Sequence, residues 1–242
     1  MNIDMRNEYV LYDYYKNYLR TVRGLKESSI NHYTGGLSTI SKILAKSGKV
    51  NDSIYEISDL DELQAIKTYL TCDQTFVEKD AVGHNMYSAA LNNYYRFAEG
   101  EDFFSAKYDI KQMDIPVEIA ERKSVYRQAY SRSSIIKIQS IKSAHYLCEL
   151  NHSHHTFTAK SNFEQYMEGH HLIPLSNQRE FSCSLDIYAN VICLCPICHR
   201  LLHYGIEQEK QSFLEHLFDV REQRLINSGI DIGKKDFLEL TM

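Results

Sequence analysis

Four histidines in the second half of the chain are of the right type and spacing to do chemistry. His170 and His171 are adjacent, and His199 and His203 are four residues apart. On a strand, neighbouring side chains point to opposite faces, so one imidazole of such a pair can hold a cation while the other stays close by as a proton acceptor. On a helix, residues four apart share a face, so the second pair offers half of a site for a divalent ion. Hydrolysis of a phosphodiester requires a base that takes a proton from water and a cation that stabilises charge on the leaving oxygen. Neutral imidazole suits the first role near pH 7. Eight of the eleven histidines and five of the six cysteines fall between His145 and His203, a crowding that favours metal binding over packing.

Cys195-Pro196-Ile197-Cys198 is a knuckle whose spacing lets two thiolates grip one tetrahedral zinc ion. Cys148 is the third candidate. No second CxxC completes the set, but His152, His154 and His155 follow Cys148 closely, and one of them can supply the fourth donor. A closed site of three cysteines and one histidine is structural. It would pin the loop ahead of the first strand to the start of the last helix of a domain with a thin core. A redox pair is the other reading of a lone CxxC, but no thioredoxin-like βαβ pattern surrounds it. Cys183 and Cys193 read as packing residues.

These pieces fit a β-hairpin followed by a helix. His170 and His171 close the first strand, Asn190 opens the second, and His199 and His203 lie on the helix. The run Glu168-Gly169-His170-His171-Leu172-Ile173-Pro174, then Asn190, then Leu194-Cys195-Pro196-Ile197-Cys198-His199, resembles the HNH endonuclease family in order and spacing. The catalytic unit of that family is the ββα-metal fold. The resemblance spans Cys148 to Tyr204 and is strongest to zinc-bearing restriction-type members. In those members the first cysteine is followed six residues later by histidine and then a Thr-Phe pair, here Cys148, His154, Thr156 and Phe157.

The resemblance implies a zinc set of Cys148, His154, Cys195 and Cys198. It also implies a catalytic divalent ion, Mg²⁺ or another, on His170 and His199, with His203 as a further ligand. His171 would be the general base, and Asn190 the residue that orients it and ties the loop. The implied activity is DNA cleavage leaving 5′-phosphate and 3′-hydroxyl ends, in a restriction or anti-phage setting. Many relatives carry two full CxxC pairs, and this chain does not.

The elements that must position this unit read as an α+β protein, mostly helical: an N-terminal helical bundle followed by a zinc-stapled ββα-metal domain. Val10, Leu11, Tyr14, Tyr15, Tyr18 and Leu19 recur at helical spacing. Ser28 and Ser29 offer a cap for a second helix with Ile30, Tyr33, Leu37, Ile40 and Leu44 on one face, although Gly35 and Gly36 interrupt it. Asp59 and Glu62 open a third with Leu63, Ile66 and Leu70. A fourth runs from Asn85 to Ala98, with Tyr87, Leu91, Tyr94 and Phe97 inward and Gly100 as its stop. The segment from Ser28 to Tyr33 is weakly similar to helical N-terminal domains of tyrosine recombinases and some restriction enzymes. The tyrosines read as core filling. Two further helical patterns follow Gly205, one using Phe213, Leu214, Leu217 and Leu225, the other Phe237 and Leu238. The expected division is a helical bundle over 1–115 for target recognition or dimerisation, a basic linker over 116–144, and the nuclease domain with its trailing helices over 145–242.

The net charge is −5, which disfavours a general nucleic-acid coat protein, but distribution matters more than the sum. From Arg122 to Lys142 there are six basic residues and no acid. Arg122, Lys123, Arg127 and Arg132 from this run, with Arg179 and Arg200, are the expected DNA phosphate contacts. The polar start of the chain does not read as a signal peptide, and no apolar run is long enough to span a bilayer, so the expected location is the cytoplasm, with no membrane partner. Cutting both strands would call for a homodimer. Two rival readings are a zinc-stabilised DNA- or RNA-binding module without catalysis, and a nuclease that acts on RNA.

Overall fold

The computed structural model describes residues 9–104, 109–117 and 133–242. The fold is mostly helical with one two-stranded sheet. It divides into two compact units: Met1–Asp102 with Ser133–Ile135, and Phe103–Arg132 with Ile136–Met242. No helix among the described residues is long and apolar enough to cross a membrane.

The first unit is built from α1 (Val10–Thr21), α2 (Glu27–Lys46), α3 (Leu60–Cys72), α4 (Gln74–Val82) and α5 (Met86–Glu99). Its centre is aromatic. Tyr14, Tyr15, Tyr18, Tyr94 and Phe97 are fully buried, and the Tyr94 ring meets Tyr15 and Tyr55 edge-on at 5.1 and 5.2 Å. Edge-to-face contact sets the positive rim of one ring against the negative face of another, which adds to the area buried. Tyr15 donates to Asn93 at 2.9 Å, and Tyr18 donates to Asp102.

Three sequence expectations change here. The second helix starts at Glu27, with Lys26 at the cap position and no side-chain cap, so Ser28 and Ser29 lie inside the first turn. Glu27 suits the positive end of the helix dipole and pairs with Arg20 at 2.7 Å, which fixes the start without a serine cap. Tyr33 and Tyr87, expected inward, are only partly covered. Helix α4 has no counterpart in the apolar pattern, because only Phe76 and Asp80 are buried along it; Asp73 caps it through the Phe76 amide. The glycine pair in α2 is explained at one of its positions. A Cβ on Gly36 would fall 2.9 Å from the Ala90 Cβ of α5, so the glycine permits close packing of the two helices. Gly35 faces open space.

The second unit carries α7 (Ser134–Ser143, from Ile136 onward), β1 (Glu168–His171), β2 (Val191–Leu194), α8 (Pro196–Tyr204), α9 (Glu207–Asn227) and α10 (Lys234–Thr241); the short helix α6 (Glu101–Phe104) lies where the two units join in sequence. The strands pair antiparallel, with Glu168 opposite Leu194 and His171 opposite Val191. On α9, Phe218 and Arg221 are buried with Leu214, Leu217 and Leu225, whereas Phe213 stands at the exposed edge. Phe218 meets Phe237 of α10 at 5.0 Å. Arg221 donates to the carbonyls of Tyr188 and Ala189 at 3.0 and 3.1 Å and pairs with Glu149, so α9 braces the start of β2.

Candidate active site and metal centres

Among the described residues, two groups of side chains gather donor atoms closely enough to hold an ion: Cys148, His154, Cys195 and Cys198, and His170, His199 and His203.

The first group lies where the loop after α7 meets the start of α8. His154 Nδ1 sits 3.6 Å from Cys195 Sγ and 3.3 Å from Cys198 Sγ. A tetrahedral zinc ion with ordinary bond lengths needs donor–donor edges of about 3.5–3.8 Å, so the spacing fits. The helix start makes this geometry. Cys195 is the N-cap of α8, Pro196 occupies the first turn where its missing N–H costs nothing, and the Cys198 amide donates to Cys195 Sγ at 3.5 Å. Burial, together with Cys195 and Cys148 alongside, pushes the Cys198 thiol well above its ordinary pKa. A bound cation inverts that balance, because coordinated thiols are deprotonated. His152 and His155 are exposed and lie outside the group; Cys183 and Cys193 are buried and also lie outside it. The Cys193 amide instead donates to Glu149 Oε1 at 2.7 Å, which ties the loop that carries Cys148 to β2.

The second group is built by β1 and α8. His199 and His203 stand one turn apart, and their Nε2 atoms lie 3.1 Å from each other. The His170 ring centroid is 5.0 Å from that of His199 and 4.9 Å from that of His203. Imidazole nitrogens at about 2.1 Å from a shared ion require edges of about 3.0–3.4 Å, which the facing Nε2 atoms approach. Glu168 completes the arrangement. It is two residues before His170 and therefore on the same face of β1. Its Oε2 is 2.5 Å from His199 Nδ1, and its Oε1 accepts from the Tyr166 hydroxyl at 3.1 Å. A carboxylate on Nδ1 makes Nε2 the lone-pair nitrogen and turns it towards His203. Partial burial opposes ionisation of Glu168, but the hydrogen bonds from His199 and Tyr166 and the nearby charges of His199 and Arg200 outweigh it and hold the carboxyl below its ordinary pKa.

His171 points to the other face of β1. Its Nε2 lies 2.8 Å from Asp186 Oδ1. On the His171 face of β1, Gly169 has a specific use: a Cβ there would fall 2.3 Å from Lys137 Cγ, so its absence lets the Lys137 stem cross the strand. Asn190 is fully buried and spends its amide on the backbone, donating to the carbonyls of Ile173 and Leu185 at 2.9 Å and accepting from the Ile173 amide at 2.8 Å. It closes the loop that returns Asp186 to His171.

Of the residues expected to meet phosphate, Arg200 is exposed on α8, 5.8 Å from the Tyr204 ring centroid. Arg179 is exposed on the 3-10 turn Leu175–Glu180. Arg122, Lys123, Arg127 and Arg132 lie outside the described residues. Two residues of the site, Glu168 and Asp186, are given no role by the motif spacing. Glu168 was legible in principle from its two-residue spacing to His170. Asp186 was not, because only the folded loop brings it to His171.

Residues 145–205 match the family model described as HNH endonuclease. Over 90 residues the chain is 34% identical to the type IV methyl-directed restriction enzyme EcoKMcrA of Escherichia coli (strain K12), a stretch that covers 37% of this chain and 29% of that protein. The chain thus spans less than a third of the length of that curated relative. No solved structure matches the chain at a significant level.

Proposed function

We propose that the HNH domain of this chain is a divalent-metal-dependent endonuclease that hydrolyses DNA phosphodiester bonds, in a restriction-type role. The observation that carries this reading is the convergence of His170, His199 and His203 within 4.8 Å, with the Asp186-paired His171 next in sequence. The domain match and the restriction-enzyme relative support it.

With Asp186 accepting from Nε2–H, the His171 lone pair is on Nδ1, where it can take a proton from a water molecule. That water attacks phosphorus as the bond to the 3′ oxygen breaks. A divalent cation on His170, His199 and His203 would supply the positive charge that stabilises the leaving oxygen. Glu168 fixes the His199 tautomer so that Nε2 is available as a ligand. Asn190 acts at a distance from the reacting atoms, as a positioning residue, by fixing the backbone on either side of the His171–Asp186 pair. Cys148, His154, Cys195 and Cys198 would bind zinc and hold the first turn of α8 in place. Arg200 and Arg179, with the basic stretch before Ser133, would meet phosphate. A dimer would serve double-strand cleavage.

The decisive experiment incubates purified protein with supercoiled plasmid, methylated and unmethylated, with Mg²⁺, Mn²⁺ or Ni²⁺, and includes single-stranded DNA and RNA in parallel. Nicking or linearisation that His171→Ala abolishes while the zinc content stays intact supports the reading. Binding to DNA with no cut under any of these ions favours the non-catalytic module. Cleavage confined to RNA changes the substrate.

A further inference from the structure

Next to the metal centre, the loop from Thr156 to Tyr166 carries aromatic side chains that the protein core does not use. The loop is folded tightly on itself. Thr158 and Gln165 form an antiparallel bridge, the Ala159 amide donates to the Glu164 carbonyl at 2.7 Å, and the Thr156 hydroxyl donates to the Tyr166 carbonyl at 2.7 Å. Phe157 stacks on Tyr166 with centroids 4.8 Å apart and planes 14° from parallel. Even so, Phe157 is 64% exposed, so one face of its ring is stacked and the other is open. Phe163 at the loop tip is 82% exposed and has φ +60°, a left-handed conformation that is uncommon for a bulky residue and that no packing here repays. Exposed Lys160 lies between the two phenylalanines in sequence.

This loop is wired to the proposed chemistry. The Tyr166 hydroxyl donates to Glu168, whose other oxygen holds His199. The charge of Arg200 reaches both Tyr166 and Glu168, and its guanidinium lies by the ring of Tyr204, which is 76% exposed. Aromatic rings interleaved with cations, beside a site that would hold a phosphodiester, match the chemistry of a nucleobase and its backbone better than that of a protein surface.

We propose that Phe157, backed by Tyr166, and Phe163 form a stacking platform for unpaired nucleobases a few nucleotides from the scissile phosphate. The proposal rests on the nuclease reading for its substrate, but it makes a separate claim about binding. Every base has a π-face, so such a platform holds a strand whatever its sequence. The Tyr166–Glu168–His199 chain would keep it in register with the metal ligands.

The chain contains no tryptophan, so Phe157→Trp introduces a single tryptophan at the platform, which can be excited at wavelengths the tyrosines do not absorb. In a His171→Ala background the protein is titrated with short DNA duplexes, methylated and unmethylated, and with their single strands, while anisotropy of labelled DNA reports binding independently. Stacking predicts quenching of the tryptophan emission on binding. Quenching should weaken when one nucleotide of the strand is made abasic, and should be absent from Phe213→Trp on α9. Phe157→Ala and Phe163→Ala should each weaken binding about tenfold with zinc content and helicity unchanged. Emission that stays constant while DNA binds overturns the proposal, as does emission that changes with protein concentration alone, which would mark a self-association surface. Plasmid cleavage by the wild type is scored separately. A nuclease without quenching sinks the platform alone, and quenching without cleavage sinks the nuclease alone.

Discussion

His171 and Asp186 are fifteen residues apart in sequence and 2.8 Å apart in space, imidazole Nε2 against carboxylate Oδ1. The pair is enclosed, with 17% and 12% of the two side chains exposed, so water competes little for the contact. Asp186→Asn keeps the shape but can donate to Nε2, which favours the tautomer with its proton on Nδ1. Turnover should fall about 10²–10³-fold with little change in KM, and Asp186→Glu should recover part of it. A wild-type kcat in Asp186→Asn would show that the carboxylate plays no part in catalysis.

Glu168 should act on the metal and leave zinc alone. Glu168→Gln removes the charge that orients His199, so affinity for the catalytic cation should drop about 10–100-fold. Titrating activity against Mn²⁺ concentration measures this, with zinc content determined by elemental analysis on the same sample. Equal apparent metal affinities would remove Glu168 from the site.

The Cys195–Cys198 knuckle should decide whether the domain folds. Helix α8 has nine residues, too few to persist alone in water. Cys198→Ser should abolish stoichiometric zinc and lower the melting temperature of the second unit, and a strong chelator should do the same to the wild type. His155→Ala, a substitution outside the cluster, is the control and should retain one zinc per chain.

The adjacent glycines of α2 should respond with opposite signs. Gly35→Ala should stabilise the protein by about 0.5–1 kcal/mol, because the helix gains a better former and nothing obstructs the methyl group. Gly36→Ala should destabilise it, because the new Cβ would lie 2.9 Å from that of Ala90. Urea denaturation of the two variants gives the signs directly.

How far the sequence discloses this architecture depends on whether the relevant spacing is local. His199 and His203 are readable because a helix puts residues four apart together, and the CxxC knuckle because its spacing fits one ion. The hairpin is readable from the alternation at His170 and His171. The limits are equally physical. Glu27 replaced the expected serine caps because an acid paired with Arg20 serves the helix start as well. Helix α4 is not legible because a mostly solvated helix leaves little apolar period. Asp186 escaped because loop closure through Asn190, not spacing, brings it to His171. Lys137 belongs to a basic run by composition, yet its stem packs over Gly169 of β1.

Cys198 and His199 are consecutive, so a single peptide bond joins the group of thiol donors to the group of imidazole donors. Whatever displaces the first must also disturb the second. The enzyme would therefore have an order of assembly, with the thiolate site filled before the imidazole site can take its shape. A preparation stripped of its tightly held metal should stay silent in excess Mg²⁺ until zinc is restored, and the recovery of cutting should follow the rate of zinc uptake.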